Sequence, residues 1–469
     1  MFPLLSLPLD LVHPIVESID NPDDLLSLAQ TCTKLQPLAE AALWKQVHIR
    51  NGESADRLLA SLEARPHRFG CVQELEITPH PRSTWHEISI LPSLIRKMGN
   101  LRVLQLESPF INYFNRGERY KQYWIDQYIS EYLRLFEDSS LEDGPLTNLT
   151  SFTFHSHGAG TRYYKLDTIY PVLLSSTLTH LHISCSDVNK FEVPDANLGK
   201  SPLRTLVLDE CNVTSEGLST LLSLPRGLEY LYLQETSHHG SSIQSNMPMG
   251  PIFAAISQQK HSLQHLQHSC SKRGYSDWLP NDEPDFTGFS LFYSLKTLEL
   301  DDKSPLKKLL PVPQYAPPNL DTFCFTGLEC RPDTYWDDMP SRVNSISNGT
   351  NFKHLELHTS PASTNSLSRM FSLPSRVLKL VEIARNMKER NITTTLTNYT
   401  RYSVIPPYVY GERRPVPVVY FESEKFWPEE ETQIALMEAF GNKPFELEDK
   451  ECGTMVAAKL AAGRHCLDY

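Results

Sequence analysis

The chain has 469 residues, 40% hydrophobic, 10% aromatic and 21% charged, with a formal net charge of -12. This composition excludes wholesale disorder, and the length excludes one ordinary core unless the architecture is extended or repetitive. Acidity without clustered Lys and Arg argues against a phosphate backbone as ligand, so no nucleic acid is expected. The nine cysteines are spread widely without a C-x-x-C pair, which speaks against structural zinc and against a disulfide framework. Met1 to Leu11 is apolar but lacks the basic start of a signal peptide, and Asp10 and His13 come early. No apolar run approaches the roughly 20 residues that span a bilayer. The expectation is a cytoplasmic or nuclear protein with reduced thiols, no membrane contact and unused Asn-x-Thr sequons at Asn148, Asn212, Asn348, Asn391 and Asn398.

The first fifty residues read as three short helices. Pro8 suits a first helical turn. Leu11, Ile15 and Ile19 then recur every fourth residue, which predicts one apolar face. Asp20-Asn21-Pro22 breaks that helix, and Asp23 is placed to cap the next. Leu25, Leu28 and Cys32 form a second stripe, continued by Leu35, Leu38 and Ala42, with Pro14 inside the first helix and Pro37 interrupting the third. So short a segment buries little surface alone, and exposed leucines at its start call for a partner.

Leu7-Pro8, an isoleucine-bearing first helix, Pro22-Asp-Asp-Leu-Leu26 leading into a second helix, and Leu43-Trp44 before a strand together resemble an F-box. The resemblance implies docking of Leu7, Pro8, Leu11, Ile15, Leu25, Leu26 and Leu28 onto the Skp-family adaptor of a Skp–cullin–F-box ubiquitin ligase, and through it to the cullin. Leu43 and Trp44 would pack on the following domain. The competing reading is an amphipathic helical cap on a repeat array.

Ten later segments fit apolar-x-x-apolar-x-apolar, starting at Val72, Leu101, Leu149, Leu178, Leu203, Leu228, Leu263, Leu295, Leu320 and Phe352. Only the Leu263 segment departs, with His268 in the last apolar place. Start-to-start gaps run from 25 to 48 residues, matching a leucine-rich-repeat period with insertions. Each segment reads as a strand whose first, fourth and sixth residues enter a shared core that no repeat can bury alone. Thr214 reads as a helix N-cap, and Cys211, ninth in its segment, is expected to turn inward and satisfy the strand end. The expected fold class is an α/β solenoid: a short N-terminal three-helix F-box over 1–50, an irregular leucine-rich-repeat horseshoe over 51–374, and a capping region over 375–469. Within that last region, Ser375 to Arg390 and Pro428 to Phe440 read as helices and Pro415 to Phe421 as an edge strand.

In this geometry the third, fifth and seventh residues of each segment face the concave side. The residues expected to bind a protein substrate are His180, His182, Tyr230, Tyr232, His265, Glu299, Asp301, His354 and Glu356, because Tyr and His bring contact area with polar tips. His354-x-Glu356-x-His358 invites a metal reading. Three alternate residues of one flat strand, their neighbours about 6.6 Å apart, would have to fan inward to grip one ion, so neither metal nor cofactor is expected. Residues 120–136 read as an aromatic amphipathic helix packed on the array, and residues 237–250 as a loop. No G-x-S-x-G, G-x-x-x-x-G-K or H-E-x-x-H is present, so no catalysis is expected. The leading functional expectation is a substrate-recognition subunit of a ubiquitin ligase. The alternative is a protein-binding repeat scaffold outside any ligase, with a hydrolase or metalloenzyme a distant third.

Overall fold

All ten segments become strands, each beginning two residues after its first apolar residue. They are seen in a computed structural model that describes residues 7–79, 90–107, 130–138, 144–155, 164–235, 249–270, 286–301, 303–326, 328, 333–359, 374–399 and 417–422. In chain order the strands are β1 (Gln46–Ile49), β2 (Glu74–Ile77), β3 (Val103–Glu107), β4 (Ser151–His155), β5 (Tyr164–Lys165), β6 (His180–Ser184), β7 (Ser186–Val188), β8 (Thr205–Val213), β9 (Tyr230–Glu235), β10 (His265–Cys270), β11 (Thr297–Asp301), β12 (Thr322–Thr326), β13 (His354–Thr359), β14 (Thr393–Tyr399) and β15 (Pro417–Glu422). The helices are α1 (Leu9–Glu17), α2 (Pro22–Thr31), α3 (Gln36–Leu43), α4 (Gly52–Ala64), α5 (Leu91–Ile95), α6 (Ser130–Asp138), α7 (Tyr170–Leu173), α8 (Ser215–Leu222), α9 (Met249–Ser257), α10 (Asp333–Gly349) and α11 (Pro374–Lys388).

The sheet corrects the expected fold class. In place of a separate F-box followed by a leucine-rich-repeat horseshoe, the described residues form an α/β arrangement around one continuous sheet. Its path runs β1-β2-β3-β4-β6-β8-β9-β10-β11-β12-β13-β14-β15, with β5 and β7 in a side ribbon on β8. Pairing is parallel from β1 to β14, and only β15 runs antiparallel, on β14. The sheet starts inside the first fifty residues, where β1 pairs with β2, and continues past residue 374 through β14 and β15. The apolar triad dictates a parallel strand and a crossover. It dictates neither where the sheet ends nor that the whole closes into a horseshoe.

The inward residues meet in one continuous core. Leu75, Leu104, Phe152, Leu181, Leu206, Leu231, Leu266, Leu298, Phe323 and Leu355 share one row, and all are buried. The helices cover that side of the sheet, as parallel strands require; Trp336 of α10 and Tyr132 and Phe136 of α6 are fully buried there. Of the expected helix over 120–136, only its last part lies among the described residues, and its Tyr132, Leu135 and Phe136 belong to the main core. The expected loop over 237–250 and the helix over Pro428 to Phe440 lie largely or wholly outside the described residues. His268, the break in the apolar pattern, still points into the core, where its Nδ1 is hydrogen-bonded to the buried Ser304 Oγ at 2.7 Å. A histidine replaces leucine there because a hydroxyl from the following loop meets it.

Backbone strain falls just past β6 and at the register shift inside β8. Cys185 (φ 54°) and Glu210 (φ 49°) occupy matching places 25 residues apart, and both adopt left-handed backbone without being glycine. Cys211 is buried and its thiol donates to Ile183 O at 3.5 Å and Asp209 O at 3.4 Å, so it turns inward as expected. Thr214 caps α8, accepting from Gly217 N at 2.9 Å.

Burial pushes the Glu210 carboxyl up to about 7, helped by the neighbouring Asp209 charge and opposed by the Cys185 thiol bond. A carboxyl whose folded pKa is raised stabilises the fold fully below its unfolded value of 4.5 and loses that contribution as pH climbs to about 7. Glu210→Gln is therefore expected to be more stable than wild type at pH 8, by at most ~3 kcal/mol and closer to about 1–2 given its partial solvent access. At pH 4 the two should unfold together. Chemical denaturation across this range checks it, and a gap independent of pH would refute it.

Candidate functional site

Two surfaces stand out, one on the N-terminal helices and one on the sheet. In the N-terminal helices Val12 and Val16 turn inward and form a small core with Leu25, Leu35 and Ala39. This corrects the expected apolar face: Leu11 and Ile15 point outward and Ile19 is only half-buried. A spacing of four fits either of two adjoining stripes, and tertiary packing chose the valines. Asn21, not Asp23, caps α2, with its side chain accepting from Asp23 N at 3.1 Å. Pro37 lies in the first turn of α3 instead of interrupting it, while Pro14 does sit inside α1.

The outcome is an apolar exterior. Leu9 (66% exposed), Leu11 (53%), Ile15 (43%) and Leu26 (50%) are four of the six large exposed hydrophobics among the described residues, the others being Leu198 and Tyr293. Of the seven residues expected at an adaptor, Pro8, Leu11, Ile15 and Leu26 are exposed, Leu7 and Leu28 are half-buried and Leu25 is buried in the helices' own core. The helices are tied to the sheet at Glu40. Arg65 Nη1 donates to both its oxygens at 3.0 Å, Arg68 Nε donates to Oε1 at 2.7 Å, and the Arg68 guanidinium also stacks over Trp44 at 4.7 Å. Trp44 in turn packs on the sheet's core.

The second surface is the sheet face opposite the helices. Strand pairing sets its residues in rows. One row runs His180, Thr205, Tyr230, His265, Thr297, Thr322, His354; the next runs His182, Val207, Tyr232, Gln267, Glu299, Cys324, Glu356. The expected substrate-binding residues other than Asp301 thus share these two rows, on β6, β9, β10, β11 and β13, each strand about 4.8 Å from the next. His180 and His354 are exposed, and His182, Tyr230, Tyr232, His265, Glu299 and Glu356 are partly accessible. The Tyr230 and His265 rings stack at 4.5 Å, and Gln267 links Tyr230 to Glu299, accepting from Tyr230 Oη at 3.3 Å and donating to Glu299 Oε1 at 2.7 Å.

The seventh-position row behaves differently. Glu107, His155, Ser184, Asp209, Asp301 and His358 are buried, while Gln234, Ser269 and Thr326 are half-buried. Asp301 accepts from Lys303 N and Ser304 N through Oδ1, and from Ser269 Oγ and Cys270 N through Oδ2. It braces a strand end and is not open surface. His155 is hydrogen-bonded to Ser184 and meets His182 edge-on at 4.9 Å. Burial first, then the neighbouring His182, push the His155 imidazole well below its ordinary value, so it stays neutral.

Cys324, Glu356 and His358 converge toward one end of the face, their donor atoms within 4.8 Å of one another. Reasoning from sequence misses Cys324, although its signal is available: it is the fifth residue of the Leu320 segment, the position that Glu299 and Glu356 hold in the segments on either side. No helix among the described residues is long and apolar enough to cross a membrane. No protein-family model matches the chain, and a search of curated proteins finds no match.

Proposed function

We propose that this chain is the substrate-recognition subunit of a Skp–cullin–F-box ubiquitin ligase, with no catalysis of its own. The N-terminal helices hold the Skp-family adaptor, and through it the cullin; the polar face of the sheet holds a protein substrate. The observation that carries the reading is the placement of Leu9, Leu11, Ile15 and Leu26 on the outside of a module whose own core is already filled by Val12, Val16, Leu25, Leu35 and Ala39. Isolated exposed leucines need no explanation, but four on two short helices mark a surface made to be covered. Substrate recognition is supported by the partly accessible Tyr and His side chains, which combine contact area with few rotatable bonds.

Co-expression with a Skp-family adaptor followed by size-exclusion chromatography tests the proposal. A stoichiometric complex is expected. A wild-type chain that elutes alone would leave the alternative of a protein-binding scaffold that acts outside any ligase.

A further inference from the structure

The Cys324 cluster lies apart from the adaptor surface and needs nothing from the ligase reading. Cys324 Sγ donates to Glu356 Oε2 at 3.5 Å, and His358 Nε2 meets the same oxygen at 2.9 Å. A thiol, a carboxylate and an imidazole from two adjacent strands therefore surround one point. The sequence raises the objection that three residues of one strand cannot converge on a metal. Here they do not have to, because strand pairing places Cys324 of β12 directly beside Glu356 of β13, and His354 is left out at the exposed edge of the group.

The spacing suits a tetrahedral ion. Zinc–sulfur and zinc–oxygen bonds of about 2.3 and 2.1 Å put those two donors about 3.6 Å apart, against 3.5 Å observed. The imidazole has to withdraw from Glu356 by about 0.5 Å, since the zinc-bound nitrogen–oxygen edge is about 3.4 Å, and it has to settle about 3.6 Å from the sulfur, all three donors lying within 4.8 Å of one another before any ion enters. A supporting carboxylate stands behind the ring, at ion-pair distance and longer than a hydrogen bond. Glu299 Oε1 lies 3.9 Å from His358 Nδ1, and Gln267 holds that carboxylate from the next strand. A carboxylate behind the distal nitrogen is the arrangement that orients a metal-binding histidine. Both Cys324 and His358 are buried, so the ion would be held in a shielded site, and three side-chain ligands leave the fourth tetrahedral position to a water.

We propose that Cys324, Glu356 and His358 bind one zinc ion, with Glu299 as the positioning residue behind His358. Thiolate, imidazole and carboxylate together select a borderline ion over magnesium or calcium. On binding, the Cys324 thiol proton leaves to solvent. His358 coordinates as neutral imidazole through Nε2, its proton held on Nδ1 toward Glu299.

The full-length chain, stripped with a chelator, is titrated with cobalt(II), whose thiolate charge-transfer absorption reports sulfur ligation. One equivalent is expected to produce the band, and one equivalent of zinc to bleach it. Cys324→Ser should abolish the band, His358→Gln should weaken cobalt binding by at least ten-fold, and Glu299→Gln by roughly ten-fold. His354→Ala should bind as wild type does. Circular dichroism of each metal-free variant shows that it is folded; if Cys324→Ser is not, the His358→Gln titration decides. A wild-type chain without the band, a band that survives in Cys324→Ser, or affinity unchanged in folded His358→Gln would each overturn the proposal.

Discussion

Replacing Leu11 and Ile15 together by Asp is expected to abolish co-elution with a Skp-family adaptor while leaving the unfolding midpoint of the chain nearly unchanged. Both side chains lie one turn apart on α1 and are 53% and 43% exposed, so neither contributes much to the folded monomer. Surface substitutions of this kind shift stability by about 0.5 kcal/mol or less. On docking, each would bury a large aliphatic side chain, a gain of about 1.5–3 kcal/mol. Losing two, and desolvating two carboxylates in their place, weakens the complex by more than about a hundred-fold. Leu198→Asp is the control, since Leu198 is equally exposed but remote in sequence from these helices. Val16→Asp is the contrasting case: it places a charge in the helices' core and should lose binding by unfolding them. Unimpaired co-elution of the Leu11, Ile15 double variant would show that α1 does not face the adaptor.

The ten strands were legible because nine of them repeat the same demand, three apolar residues at the first, fourth and sixth places, and the tenth departs only at His268. β14 was not. Aligned on β13 through His354↔Thr393, the places of Phe352, Leu355 and Leu357 fall to Asn391, Thr394 and Leu396, so only one of the three is apolar; Asn391 is exposed and the adjacent Ile392 enters the core instead. Thr394 is nonetheless fully buried, which sheet pairing allows and periodicity cannot announce. The extent of the sheet was therefore understated at that end. In α1 the pattern itself was sound, but Leu11–Ile15 and Val12–Val16 are equivalent by spacing. Which pair turns inward depends on α3, whose Ala39 lies against the valines. The residues expected on the polar face do share one side of the sheet, because alternate residues of a strand point the same way. What failed was accessibility at its far edge, where Asp301 accepts backbone hydrogens two and three residues ahead and becomes part of the turn.

Glu40→Ala is expected to destabilise the joint between the N-terminal helices and the sheet by about 2–3 kcal/mol. Glu40 sits on α3, yet its partners Arg65 and Arg68 follow α4, so the carboxylate spans the boundary between the two cores. Burial by itself would raise its pKa, but the hydrogen bonds and charges of Arg68 and Arg65 outweigh that and hold it below the usual carboxylate range. It is covered by the arginines and not sunk in apolar core, so the full cost of a buried pair, about 3–5 kcal/mol, is an upper limit. A carboxylate with a lowered folded pKa stabilises above its unfolded value and loses that contribution as pH falls through the folded one. The difference between wild type and variant should thus be full at pH 7 and shrink in acid. Hydrogen exchange resolves where it acts: amides of α1 to α3 should exchange faster in the variant, while those of β9 to β12 should not change. On the proposed adaptor reading, binding is expected to survive in this variant, because Leu11 and Ile15 remain outside. Uniformly faster exchange throughout the sheet would show instead that Glu40 supports the whole fold, and the helices would then not be a separable docking module.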